Sequence, residues 1–147
     1  MARVLVTGMS GAGKTTLLHA LAARGYATVD TDYDGWTLPD GLWDEPRMDR
    51  LLDEHPAIAV SGTVENQVRF YDRFEDVVLL SAPVEVLLPR VRSRINNPYG
   101  RRPEHEAEIR TYAREVEPLL RRGATVELDG RQPVEELANI VEELLTR

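Results

Sequence analysis

Residues 8–15 read Gly-Met-Ser-Gly-Ala-Gly-Lys-Thr. They follow an apolar, β-branched run at residues 2–7 and precede a segment, residues 14–24, with Leu17, Leu18 and Leu21 on one helical face. The pattern G-x-x-x-x-G-K-[ST] between a strand and a helix constrains the chain more than any other feature. The glycines let the backbone curl so that successive N–H groups point inward, and a helix opening at Lys14 adds the positive end of its dipole. Such a cradle takes the phosphates of a nucleoside triphosphate, with ATP the expected one. Lys14 then reaches the β- and γ-phosphates, and the Thr15 hydroxyl takes one position on Mg²⁺. The candidate phosphate-binding residues are Gly8, Ser10, Gly11, Ala12, Gly13, Lys14, Thr15 and Thr16.

Of the 18 basic residues, Lys14 is the only lysine. A genome rich in Arg codons accounts for the scarcity but not for where the one lysine sits. A compact ammonium and a planar guanidinium do not interchange under a phosphate.

The remaining segments alternate strand with helix. Residues 26–29, 57–60, 77–80 and 125–128 read as further strands. Residues 45–55, 83–94, 104–122 and those from 133 onward read as helices. Pro118 should kink or interrupt the helix at 104–122, whose apolar face carries Ile109, Tyr112, Ala113, Val116, Leu119 and Leu120. Residues 33–45 hold Gly35, Pro39 and Gly41 and read as a loop with short helical pieces. Continuous apolar strands alternating with helices imply an α/β fold, a parallel sheet with helices on both faces. A length of 147 residues without a linker or internal repeat fits a single domain over 1–147.

Composition excludes several classes. There is no cysteine, so disulfides, zinc–thiolate sites and thiol catalysis are ruled out. A net charge of −7 argues against nucleic acid or an anionic membrane as the main partner. No apolar run is long enough for a membrane span, and the expectation is a soluble, cytoplasmic protein. The charge is uneven. Residues 29–54 carry nine Asp/Glu against two Arg, whereas residues 88–122 carry nine Arg against five Glu. A basic segment within an acidic chain suggests a local anion site.

Asp30 and Asp32 lie at the carboxyl end of the second strand, where ligands collect in open parallel sheets. Residues i and i+2 of a strand point the same way, so both carboxylates can face one site. One is suited to a metal's water shell, the other to accepting or orienting the proton of an acceptor hydroxyl. The third strand ends in Ser61-Gly62 without the carboxylate that motor-type P-loop ATPases place there, so metal support falls to Asp30. Arg90, Arg92, Arg94, Arg101 and Arg102 bracket Asn-Asn-Pro-Tyr-Gly at 96–100. Guanidinium groups on a Gly- and Pro-containing segment suit a lid, about residues 94–106, that closes over transferring phosphate.

With these residues in place, the chain resembles the small P-loop kinases of the nucleoside and nucleotide kinase superfamily, shikimate kinase and the small adenylate-kinase-like proteins in particular. The resemblance runs over nearly the whole chain, with the phosphate loop its most specific part. It implies a five-stranded parallel sheet in the order 2-3-1-4-5. It also implies that Asp30 supports magnesium and Asp32 contacts the acceptor. Ser61-Gly62-Thr63 is similar to a glycine-rich turn at the acceptor site, Arg90 to an arginine beside adenine, and Arg102-Pro103 to a lid Arg-Pro. Two departures leave the acceptor open. Val116 stands about where shikimate enzymes place a substrate-binding Arg, and the acceptor segment offers only Arg47 and Arg50.

The expected activity is transfer of the ATP γ-phosphate to a small-molecule hydroxyl. Lys14, Asp32 and lid residues Arg94 and Arg101 or Arg102 would carry the chemistry, with Thr15 and Asp30 on the metal. The acceptor segment, about residues 31–55, supplies Asp32, Tyr33, Asp34, Trp36, Trp43 and Arg47, with Gly62 from the turn. The two Trp are candidates for stacking on the acceptor and equally for packing the loop onto the core. The acidity of this segment favours a neutral or cationic acceptor. The alternatives are a nucleoside monophosphate kinase and a nucleotide-binding regulator with slow ATP hydrolysis. The superfamily likeness implies a monomer.

Overall fold

The computed structural model describes residues 1–93 and 103–147. Five parallel strands form one sheet in the order β2-β3-β1-β4-β5, the order implied by the resemblance. They are β1 (Arg3–Thr7), β2 (Thr28–Asp30), β3 (Ile58–Ser61), β4 (Asp76–Ser81) and β5 (Val126–Asp129). The central strand, β1, lies between β3 and β4, with Leu5 paired to Val60 on one side and to Val77 on the other. Val4, Leu5 and Val6 are all fully buried because helices cover both faces of the sheet.

Among the described residues six α-helices flank the sheet: α1 (Lys14–Ala23), α2 (Glu45–Glu54), α3 (Val84–Ser93), α4 (Pro103–Glu115), α5 (Glu117–Gly123) and α6 (Val134–Leu145). On one face Leu17, Leu18 and Leu21 of α1 and Leu137, Val141 and Leu144 of α6 pack on Val4, Val6, Ala59 and Val78. On the other, Met48, Leu51 and Leu52 of α2 pack on Leu5, Val60 and Val77 together with both Trp. Alternate strand residues feed opposite faces, as the pleat requires.

The described helices follow the sequence reading, and the differences lie in the stretch after β3 and in the loop before α2. Pro118 does break the 104–122 segment: α4 ends at Glu115, and the proline occupies the first turn of α5. Ile109 and Leu120 are buried while Tyr112 and Leu119 face solvent. A 3-10 helix, Glu65–Arg73, fills a stretch with no assigned element and buries Asn66, Gln67 and Phe70. In the loop before α2, Thr37 and Trp43 pair as a small antiparallel bridge around Gly41, in place of helical pieces.

Candidate functional site

The carboxyl ends of β1, β2 and β3 deliver Gly8, Asp30 and Ser61 to one edge of the sheet. The phosphate loop curls there through positive φ at Gly8, Gly11 and Gly13, of +152°, +86° and +107°. A Cβ on Gly8 would stand 2.3 Å from the Leu80 carbonyl oxygen, and one on Gly11 would stand 2.8 Å from that of Leu87. Both the torsions and the space therefore demand glycine.

Gly13 caps α1 without any side-chain hydrogen bond, and the first turn of the helix holds no acidic residue. A helix start that no side chain caps suits an anion. The Lys14 ammonium donates to the carbonyls of Gly8 at 2.6 Å and Met9 at 3.2 Å. From the far side Arg90 lies against the loop, donating to the carbonyls of Gly11 and Ala12 at 3.2 and 3.4 Å.

Thr15 donates to the Asp30 carboxylate at 2.7 Å. The other Asp30 oxygen accepts from the backbone N–H of Asp32 at 3.1 Å. This pairs a helix-terminal hydroxyl with a carboxylate, both hard oxygen donors of the kind Mg²⁺ takes.

The cleft over the loop has a volume of about 550 Å³. It gathers Ser10 to Thr16, Asp32, Tyr33 and Arg90 from the expected set, and adds His19, Ser93, Gly130, Gln132, Val134 and Leu137. Gly130 follows β5, and a Cβ there would stand 2.6 Å from the Ala12 carbonyl, so this turn rests directly on the phosphate loop. Beside it, the side chain and backbone N–H of Arg131 hold the Asp129 carboxyl down to about 2. A more open depression of about 450 Å³ lies alongside, between α5 and the ends of β4 and β5. Its Arg121 is paired with Glu117 and Glu127, and its Arg131 with Asp129.

Several expected acceptor residues go elsewhere. Trp43 is 1% exposed, stands edge-on to Phe70 and donates its indole N–H to the Thr31 hydroxyl at 3.0 Å. Its ring belongs to the core, leaving no face for an acceptor to stack on. Trp36 is also buried, with the Arg47 guanidinium 3.8 Å from its ring centroid. Arg47 further donates to the Asp34 carbonyl, which fastens it to its own loop. Asp34 turns that loop at φ +62°, exposed to solvent. Gly62 is buried against Thr31 and Trp43 and is a packing position: a Cβ would stand 2.3 Å from the Thr31 hydroxyl. Arg94, Arg101 and Arg102 lie outside the described residues.

Sequence reasoning missed Thr63 and Gln67, which bond the base of the phosphate loop from the other face of the sheet. Thr63 lay within the noted Ser-Gly-Thr turn. Gly130 was open to the same carboxyl-end rule that picked out Asp30.

Fold and loop together define a small P-loop protein with a kinase-like fold and a nucleotide-binding cleft. The chain belongs to the AAA domain family, whose model matches residues 4–111. A nucleotide-binding protein of Burkholderia ambifaria is 31% identical over 120 residues, covering 72% of this chain and 37% of that protein. This chain thus matches little more than a third of such relatives. Shikimate kinase from Acinetobacter baumannii, solved with shikimate, superposes with a TM-score of 0.74 at 24% identity, covering 99% of this chain and 93% of that one. A gluconokinase from Sinorhizobium meliloti gives 0.62 at 20% identity, covering 99% and 91%. At these identities the likeness is one of fold. Among the described residues no helix is long and apolar enough to cross a membrane.

Proposed function

We propose that the protein is a P-loop kinase that transfers the γ-phosphate of ATP to a hydroxyl of a small molecule. The observation that carries the reading is the Thr15–Asp30 pair at the mouth of the phosphate loop, with Asp32 two residues on in the same cleft. A P-loop that only holds nucleotide has no need of a second carboxylate facing the phosphates.

In this reading the loop N–H groups and Lys14 bind the β- and γ-phosphates. Thr15 and Asp30 are the residues that would hold Mg²⁺, which supplies neutralisation of charge on the phosphate oxygens when bound. Asp32 orients the acceptor hydroxyl and takes up its proton as the new O–P bond forms and the bond to the ADP oxygen breaks. Arg90, lying across the loop, borders the nucleotide base side of the cleft, which Gly130 and Gln132 also line. Asp32 and Tyr33 form the acceptor side. That side is acidic, and its Arg47 is committed to Trp36 and Asp34. A neutral or cationic acceptor therefore fits better than a dianionic phosphate, and a nucleoside monophosphate is the less favoured substrate.

The test is ATP turnover with Mg²⁺ across a panel of polyols, amino alcohols, sugars and nucleosides. One acceptor should accelerate ADP release, and Lys14→Ala and Asp32→Ala should each abolish the acceleration. A second reading draws on the relatives, which carry the name nucleotide-binding protein alone. There the protein is a regulator that binds ATP and hydrolyses it slowly. It is favoured if Lys14→Ala removes binding while no acceptor changes the rate and Asp32→Ala is silent.

A further inference from the structure

Beneath the phosphate loop runs a line of hydrogen bonds in which every proton can be assigned. Gln67 is 2% exposed, and its Oε1 accepts from the Val64 N–H at 3.0 Å, which fixes the amide. Its Nε2 donates to the Tyr71 hydroxyl at 3.1 Å and to the Thr7 hydroxyl at 3.0 Å. Thr63 has one hydrogen, and it lies toward the Gly8 carbonyl at 2.6 Å. The Gly8 N–H donates back to the same hydroxyl at 3.2 Å. The 3.1 Å contact between Thr7 and Thr63 therefore has Thr7 as donor. The chain is polarised from Gln67 through Thr7 and Thr63 to the Gly8 carbonyl, each donor strengthening the next.

Two consequences follow at Gly8. A single hydroxyl bridges its N–H and its C=O and so pins a φ of +152° that glycine otherwise leaves loose. The same carbonyl is one of the two that receive the Lys14 ammonium. Its direction thus sets where the charge of Lys14 is anchored.

We propose that Thr63 is a positioning residue for triphosphate recognition, acting through the Gly8 carbonyl to hold Lys14 at the γ-phosphate end of the nucleotide. The proposal rests on the nucleotide-binding reading of the loop. Lys14 touches both the β- and γ-phosphates, so a misplaced ammonium costs more with ATP than with ADP, where only the β-contact exists. A merely structural Thr63 would weaken both nucleotides alike.

The experiment is calorimetric titration of Mg·ATP and Mg·ADP into the parent protein, Thr63→Val and Thr63→Ser. Valine keeps the shape and removes the hydroxyl. The Kd for ATP is expected to rise about tenfold, the loss of a hydrogen bond to a charged assembly. The Kd for ADP should rise less than about threefold, and serine should bring both within about threefold of the parent. Equal weakening of the two nucleotides, no weakening, or no rescue by serine overturns the proposal. A parent protein that binds neither nucleotide overturns the nucleotide reading and the proposal with it. If Thr63→Val does not fold, Thr7→Val removes the donor behind Thr63 and leaves the Thr63 bonds to Gly8. It should lower the preference for ATP over ADP at least about twofold, and an unchanged preference overturns the proposal.

Discussion

Gly62→Ala separates a packing position from an acceptor contact. The new methyl would begin 2.3 Å from the Thr31 hydroxyl oxygen and 3.1 Å from the Trp43 ring. Neither neighbour can yield cheaply. The Thr31 hydroxyl donates to the Ser61 carbonyl at 2.8 Å and accepts the Trp43 indole N–H at 3.0 Å, and both residues are buried. Relieving the overlap needs a shift of about 1 Å, enough to break one of these bonds. Overpacking costs about 1–3 kcal/mol, and a buried donor left unmet costs about as much again. We predict a loss of about 4 kcal/mol, a large share of the stability of a domain this size. At about 3 °C per kcal/mol the melting temperature should fall by about 12 °C, read by calorimetry or by a shift in urea midpoint at unchanged slope. Trp43→Phe removes the indole donor together with part of a buried ring and should cost about 3 kcal/mol. The double variant should lose less than the two single losses together, because both act through Thr31. A Gly62→Ala protein that melts within about 2 °C of the parent would refute the reasoning, and a raised acceptor KM alone would return Gly62 to the acceptor site.

Three further outcomes are expected. Gly130→Ala presses a methyl onto the Ala12 carbonyl, and Mg·ATP affinity measured by titration should fall about tenfold as the loop moves to relieve it; unchanged affinity would mean that the β5–α6 turn yields instead. Asp30→Asn keeps an acceptor for Thr15 but removes the charge, so the Mg²⁺ concentration for half-maximal ATP binding should rise at least about tenfold, with metal-free ATP binding no weaker. Arg131→Ala should raise the Asp129 titration midpoint from about 2 toward its ordinary 3.8, followed by carboxyl-carbon NMR. The folded-state value lies below the ordinary one, so this pair's contribution to stability is complete above that ordinary value and disappears as pH falls through about 2.

The parts of the molecule written in local pattern were legible in the sequence. The phosphate loop declares itself because torsion, dipole and charge are fixed by eight adjacent residues. Asp30 stands at the end of β2, where the carboxyl-end rule expects a ligand residue, whereas Asp32 lies in the turn beyond the strand, so strand periodicity does not position it. Pro118 announced its own helix break. The sequence does not say which residues meet across the sheet. Trp43 read as an acceptor-site candidate from its place in the acidic loop and Gly62 from its likeness to a glycine-rich turn, and only packing brings them together around Thr31. Arg47 read as an acceptor-site residue, yet the turn at Asp34 places a ring and a carbonyl within its reach. The Thr63–Gln67 line was hidden because a 3-10 helix repeats at neither the strand nor the α-helix period. Its importance also depends on Gly8, far away in sequence at the start of the phosphate loop.

The central claim is that this cleft moves a phosphoryl group and does more than bind nucleotide. The most direct measurement follows the label of γ-³²P-ATP in the presence of Mg²⁺ and the best acceptor from the panel. The account predicts that the label leaves ATP on the acceptor, that this transfer exceeds release as inorganic phosphate at least about tenfold, and that Asp32→Asn removes the excess while retaining ATP binding. Label appearing only as inorganic phosphate, at a slow rate indifferent to Asp32, would contradict it.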